Sequence, residues 1–156
     1  MRIDSSNASI INTKEVYLHD AYITQFEVFL SERRIVISID PYREYSNITK
    51  MTFNNVVGAK TTLFEVFAEC DGRILDFYKL NESDTKLIKE LYTDSENEKK
   101  TITSTNDKGE IIESNIPSNI DSMERLMELE FFLDSADRLT IVCESLDIET
   151  EDTDGN

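Results

Sequence analysis

The chain has 156 residues, 39% apolar and 31% charged, and its 32 acidic side chains against 16 basic ones leave a net charge of -16. That length fits one domain able to bury a core without metal or disulfide support. A surface so negative repels nucleic acid, anionic membrane and acidic substrates, and it attracts basic surfaces.

Residues 1–14 are polar and read as a loosely held N-terminal segment. Tyr22 to Leu30 is rich in β-branched and aromatic residues and predicts a strand, although its apolar residues do not divide cleanly between two faces. After the turn Ser31-Glu32-Arg33, the segment Arg34 to Asp40 alternates, with Ile35, Ile37 and Ile39 directed inward. The two strands form an antiparallel hairpin. Pro41 ends it, and Tyr42 to Asn47 is a polar, aromatic loop. Ile48 to Val57 returns as a strand with Met51 and Phe53 in register, and Gly58 marks a turn.

Leu63 to Ala68 and Arg73 to Leu80 flank the turn signal Cys70-Asp71-Gly72, and the first of them fits a strand or a short helix. Asn81 to Asp84 offers helix caps before Thr85 to Tyr92, enough for one or two helical turns. Asp94 to Lys100 is charged and solvated. Thr101 to Ser104 and Glu110 to Glu113 bracket Asn106-Asp107-Lys108-Gly109 as a hairpin. In the block Leu126 to Ile148, Leu129, Phe131 and Leu133 alternate with Glu128, Glu130 and Phe132. After the turn Asp134 to Asp137, Leu139, Ile141 and Cys143 alternate in the same way, which predicts a final hairpin. Residues 149–156 read as a disordered acidic tail. The expectation is one mainly β domain over residues 15–148, a β-rich α+β fold: an antiparallel sheet or sandwich built of hairpins, with one short helix.

No apolar run approaches the ~20 residues of a membrane span. The opening Met1-Arg2-Ile3-Asp4-Ser5-Ser6 lacks a secretory h-region, so the expected compartment is the cytoplasm. The two cysteines, Cys70 and Cys143, lie far apart and outside any Cys-x-x-Cys pair, and read as small buried thiols. One histidine, His19, rules out a His-His metal site within one protomer. There is no nucleophile elbow, P-loop, dinucleotide fingerprint, zincin motif or calcium loop. No metal, cofactor or catalytic residue is expected, and the chain reads as a non-enzyme.

His19 precedes Asp20. Neighbours on a strand point to opposite faces, so the two side chains could meet only in a turn. Leu18 to Ala21 is then a turn entering the first strand, a contact site, or in the least favoured reading a catalytic pair. Acidic stretches at Asp94, Glu96 and Glu98, at Glu124, Glu128 and Glu130, and from Glu144 to Asp154 serve solubility or form a patch that steers a basic partner. Tyr42, Tyr45 and Tyr92 lie in or beside predicted loops and are candidate anchors for such a partner, with packing over a sheet edge as the other reading. The candidate partner-binding residues are therefore His19, Asp20, Tyr42, Tyr45, Tyr92, Asp94, Glu96 and Glu98.

Tyr17-Leu18-His19-Asp20-Ala21-Tyr22-Ile23, followed by a hairpin, resembles the opening of a group of small bacterial all-β proteins that start with a His-Asp-Ala or His-Asp-Ser turn. Several of these are assigned as immunity proteins of polymorphic-toxin systems. Thr52-Phe53-Asn54-Asn55-Val56 and the closing hairpin from Leu129 to Val142 fit the same layout, whereas segment 94–120 looks like an insertion. The resemblance implies a cytoplasmic protein that binds and blocks one cognate toxin. The charge, read independently, points to a basic partner, and together they give the expectation of a non-catalytic inhibitor that binds a basic protein such as a toxin. The alternative expectation is a phage or plasmid anti-defence protein, a charge mimic or a sponge for a small molecule. An anionic ligand would then need a local basic pocket from Arg33, Arg34, Lys50 or Lys60.

Overall fold

Alternation in β3 (Arg34–Asp40) sets the pattern for the molecule: Ile35, Ile37 and Ile39 are buried together, and the strand pairs with β2 (Tyr22–Phe29) and β4 (Ile48–Asn54). The computed structural model describes residues 1–63, 71–81, 84–91, 101–105, 111–115 and 125–151. Within these, β11 (Ser145–Thr150) and β1 (Arg2–Asp4) complete a five-stranded sheet in the order β1-β11-β4-β3-β2. A second, four-stranded sheet has the order β5-β10-β9-β6, from β5 (Gly58–Thr61), β10 (Arg138–Cys143), β9 (Met127–Leu133) and β6 (Ile74–Lys79). Both sheets are antiparallel throughout. Strands β7 (Thr101–Thr105) and β8 (Ile111–Asn115) pair as a separate hairpin, as their turn signal predicts. A short helix, α1 (87–91), falls within the expected helical stretch. The expected β-rich fold forms: among the described residues two antiparallel sheets are accompanied by the short helix α1 and a 3-10 turn at Ala8–Ile10.

The two sheets close on one core. Ile35, Ile37, Met51, Phe53, Leu146 and Ile148 come from the first, and Ile74, Phe77, Leu129, Phe131, Leu139 and Ile141 from the second. Phe131 stands at the centre. It meets Phe53 edge-on across the sandwich at 6.1 Å and Phe77 at 4.4 Å. Such pairs add about 0.5–1.5 kcal/mol beyond the area they bury. The chain crosses between sheets twice at one corner. Glu144 alone separates β10 from β11, and residues 55–57 separate β4 from β5. The Glu144 N–H donates to the Asn54 carbonyl, and the Asn55 amide donates to the Glu144 carboxylate at 2.7 Å, so the two crossings brace each other.

Several expectations change. The N-terminal segment is not loosely held: Ile3 is fully buried in β1, while Ala8 and Ile11 join the core. Gly58 does not mark a turn but opens β5, because its missing Cβ leaves room for Leu91 of α1. The strand expected to end at Val57 stops at Asn54. Glu149 and Thr150 belong to β11, and the Glu151 N–H donates to Asn47, so the ordered chain runs past residue 148. β6 pairs with β9; a Leu63–Ala68 partner for it lies almost wholly outside the described residues. The uneven faces of β2 have a local cause. A bulge between Ile23 and Gln25 adds one residue, so Ile23 and Phe26, three apart, both pack on the core.

Candidate functional site

Leu18 to Ala21 is a turn, closed by the Ala21 N–H donating to the Leu18 carbonyl at 3.1 Å. Asp20 sits in it at φ +66, a left-handed conformation that Asp tolerates better than most residues. The turn brings the two side chains together: His19 Nδ1 lies 3.1 Å from Asp20 Oδ2. The other oxygen of Asp20 accepts from both Nε and Nη2 of Arg73, the Nε bond being 2.9 Å. Arg73 also reaches Asp134 at 3.5 Å. The Arg73 hydrogen bonds, aided by His19, hold the Asp20 carboxyl below the usual carboxylate range, and Asp20 in turn raises Arg73.

The imidazole of His19 stacks on Tyr17, with centroids 6.1 Å apart and planes 9° from parallel. Tyr17 meets Tyr45 edge-on at 5.9 Å, and Tyr45 meets Tyr42 at 5.4 Å. Four rings thus form a continuous ridge. It stays open to solvent, with 42% of the His19 side chain, 42% of Tyr42 and 53% of Tyr45 exposed. The loop carrying the two tyrosines is folded on itself by the Tyr45 and Ser46 N–H groups donating to the Tyr42 carbonyl. It is tied to the end of β11 through Asn47 and Arg43, which both contact Glu151.

Strand register puts the start of β2, the end of β3, the start of β4 and the end of β11 at one end of the five-stranded sheet. Asp40, Glu149 and Glu151 therefore lie at the same end as the tyrosine loop, which also carries Glu44. Lys50 pairs with Glu149 at 2.6 Å, and Arg43 with Glu151 at 3.2 Å. Of the sequence candidates, His19, Asp20, Tyr42 and Tyr45 converge here. Tyr92, Asp94, Glu96 and Glu98 lie outside the described residues. Tyr17 and Arg73 complete the group: Tyr17 is part of the opening motif, while nothing local marks Arg73.

The acidic reading of Glu128 and Glu130 as surface is corrected. Both point to the outer face of the four-stranded sheet, yet they are only 1% and 6% exposed: the start of α1 lies against Glu128, while Tyr78, Arg138 and Thr140 close around Glu130. Glu128 accepts the backbone N–H groups of Lys86, Leu87 and Ile88 at 3.0–3.1 Å, taking the place of a helix cap. Glu130 accepts from the Tyr78 hydroxyl, from Arg138 at 2.7 Å and from Thr140 at 3.2 Å. Burial, reinforced by the Glu130 hydrogen bond, pushes the Tyr78 hydroxyl up to about 12.

Among the described residues, no group of three or more His, Cys, Asp and Glu side chains is placed to hold a metal ion. No helix among them is long and apolar enough to cross a membrane. No family model, no curated protein and no solved structure matches the chain.

Proposed function

We propose that this protein is a non-catalytic inhibitor of the immunity type, which covers a basic surface of one protein partner with the end of its five-stranded sheet. The observation that carries the reading is the aromatic ridge. His19, Tyr17, Tyr45 and Tyr42 present partly exposed rings, packed on one another, on a turn and a loop that the scaffold holds in place. Rings that are already ordered lose little entropy on binding, and Tyr is enriched among residues that dominate interface energetics. The acids at the same end, in a chain of net charge -16, supply long-range attraction for a cationic partner. The resemblance of Tyr17 to Ile23 to the opening of small bacterial all-β proteins, several of them assigned as immunity proteins, supports the same reading. Asp20 serves the surface by positioning: its charge is engaged by Arg73, which fixes the turn that carries His19.

The test is capture of partners from the protein's own host lysate at low and at moderate salt, using wild type and a Tyr42→Ala/Tyr45→Ala variant side by side. One stoichiometric basic protein, weakened by salt and lost with the variant, is expected. Equal capture by the variant would move the interface elsewhere on the molecule. Capture of nothing at either salt would end the inhibitor reading.

A further inference from the structure

The outer face of the four-stranded sheet carries a cleft, remote from the ridge. Register aligns Lys60 with Thr140, Thr140 with Glu130 and Glu130 with Tyr78, one row across all four strands. Beside this row, α1 packs Leu87, Ile88 and Leu91 over Val142 and Val57. Helix and row enclose a cleft of about 620 Å³ that is also lined by Lys86, Lys89, Arg138 and Glu90. Clefts of ~300–1,000 Å³ are the usual size for small-molecule sites.

Its charge is unlike the rest of the chain. The whole sequence carries 32 acids and 16 bases, but the cleft is lined by four of each. Two of the four carboxylates are used internally. Glu128 is taken up by three backbone N–H groups, and Glu130 by Tyr78, Arg138 and Thr140. What faces solvent at the mouth is three exposed lysines, Lys60 from β5, Lys86 just before α1 and Lys89 within it, against Asp84 and Glu90. Lys60 and Glu90 stand only at the 4.0 Å limit of an ion pair. A negative chain that gathers cations over a floor of Tyr78 and Thr140 can hold a compact anion there, while its overall field still repels a polyanion such as RNA.

We propose that this cleft binds a small phosphorylated anion of nucleotide size, its phosphates held by Lys60 and Lys86 and its uncharged part lying over Tyr78. The lysines act as mobile point charges on flexible stems, which suits phosphate groups of varied geometry.

The experiment is thermal unfolding and isothermal titration of the full chain against inorganic phosphate, pyrophosphate, adenosine and guanosine mono- and triphosphates, and the two nucleosides. At about 100-fold excess over its Kd, a nucleotide is expected to raise the melting temperature by about 5–10 °C. The nucleosides should give no shift. Lys60→Glu/Lys86→Glu, both at exposed positions, should abolish the shift and weaken titrated binding by tenfold or more, whereas Tyr45→Ala should leave both intact. Binding of pyrophosphate as tight as that of any nucleotide would support the phosphate contacts but overturn the contribution of Tyr78. No shift with any phosphate at millimolar concentration, or a shift that survives the lysine reversal, would overturn the site.

Discussion

Asp20 and Arg73 join the two sheets of the sandwich at the mouth of the ridge. The carboxylate sits in the turn before β2, and the guanidinium sits one residue before β6. Backbone bonds run alongside: the Asp20 N–H donates to Ile74 and the Ile74 N–H to Ala21, both at 2.8 Å. The pair therefore clamps the turn from the far sheet, and His19 inherits its position from that clamp.

The clamp has a defined pH dependence. The Arg73 hydrogen bonds hold Asp20 below its ordinary 3.8, so the folded state favours the charged form more than the unfolded chain does. The contribution is present above pH 3.8 and disappears as pH falls through the lower, folded value. Asp20→Asn should lower stability at neutral pH, and the gap from wild type should close on acidification below pH 4. Urea titrations at several pH values would read it. A gap independent of pH would show that packing, not charge, makes the difference.

Glu128 predicts a different outcome for a different carboxylate. Removing it in Glu128→Ala leaves the N–H groups of Leu87 and Ile88 buried without an acceptor. The expected loss is about 2–3 kcal/mol, and Glu128→Gln, which keeps one acceptor oxygen, should lose about half as much. Equilibrium denaturation checks both. Equal losses would mean that charge rather than hydrogen bonding holds α1 on the sheet.

How much of this was legible in the chain depended on the number of faces each strand buries. β3 and β10 could be read from alternation because their inner positions are apolar. Glu128 and Glu130 alternate with Leu129 and Phe131 and so read as solvent-facing, because a strand's own sequence does not say that a helix will reach Glu128 or that side chains of the neighbouring strands will close around Glu130. β11 also alternates, Leu146 and Ile148 inward, but Glu144 alone separates it from β10, with no Gly or Pro to mark the break. β1 is three residues long, too short for a period. In the ridge, the meeting of His19 with Asp20 follows from a local turn. The contact with Arg73 spans 53 residues and depends on how the two sheets dock.

Two glycines should respond unequally to the same change. Gly72 has φ +76, and an added Cβ would fall 2.6 Å from the Ile23 carbonyl oxygen, which belongs to the backbone and accepts no displacement cheaply. Gly72→Ala is expected to cost about 2 kcal/mol or more. At Gly58 the obstacle is the Cδ1 of Leu91 at 2.7 Å, the far end of a flexible side chain, so Gly58→Ala should cost about 1 kcal/mol. Thermal and urea unfolding of the two variants would test the order.

Cys143 sets an alkaline limit. It is fully buried, and desolvation pushes its thiol from 9.0 to about 12. The unfolded chain releases this proton above pH 9 while the folded chain keeps it, so stability is intact below pH 9 and falls as pH rises towards 12. The slope from one such proton is at most about 1.4 kcal/mol per pH unit. Cys143→Ala should flatten the decline between pH 9 and 10, before Tyr78, raised from 10.0 to about 12, begins to contribute. Matching declines in wild type and variant would mean that the thiol is already ionised in the folded protein.

Steering by the acidic sheet end can be separated from anchoring by the ridge through kinetics. Glu149 and Glu151 are exposed, at the edge of the tyrosine loop, and among the described residues each pairs with one basic side chain. Reversing both to Lys changes the local charge by four units; it removes the Arg43 ion pair but keeps the bonds between Asn47 and the Glu151 backbone that hold the tyrosine loop. With the captured partner in hand, this variant should slow association about tenfold or more at low salt and little at high salt, since screening acts over ~8–10 Å at physiological ionic strength. Dissociation should barely change. Tyr45→Ala should do the reverse, speeding dissociation about tenfold with the on-rate and its salt slope preserved, because a central aromatic anchor acts after encounter. Surface plasmon resonance at two salt concentrations distinguishes the two. If charge reversal sped dissociation and left association alone, the acids would be direct contacts, and attraction at a distance would play no part.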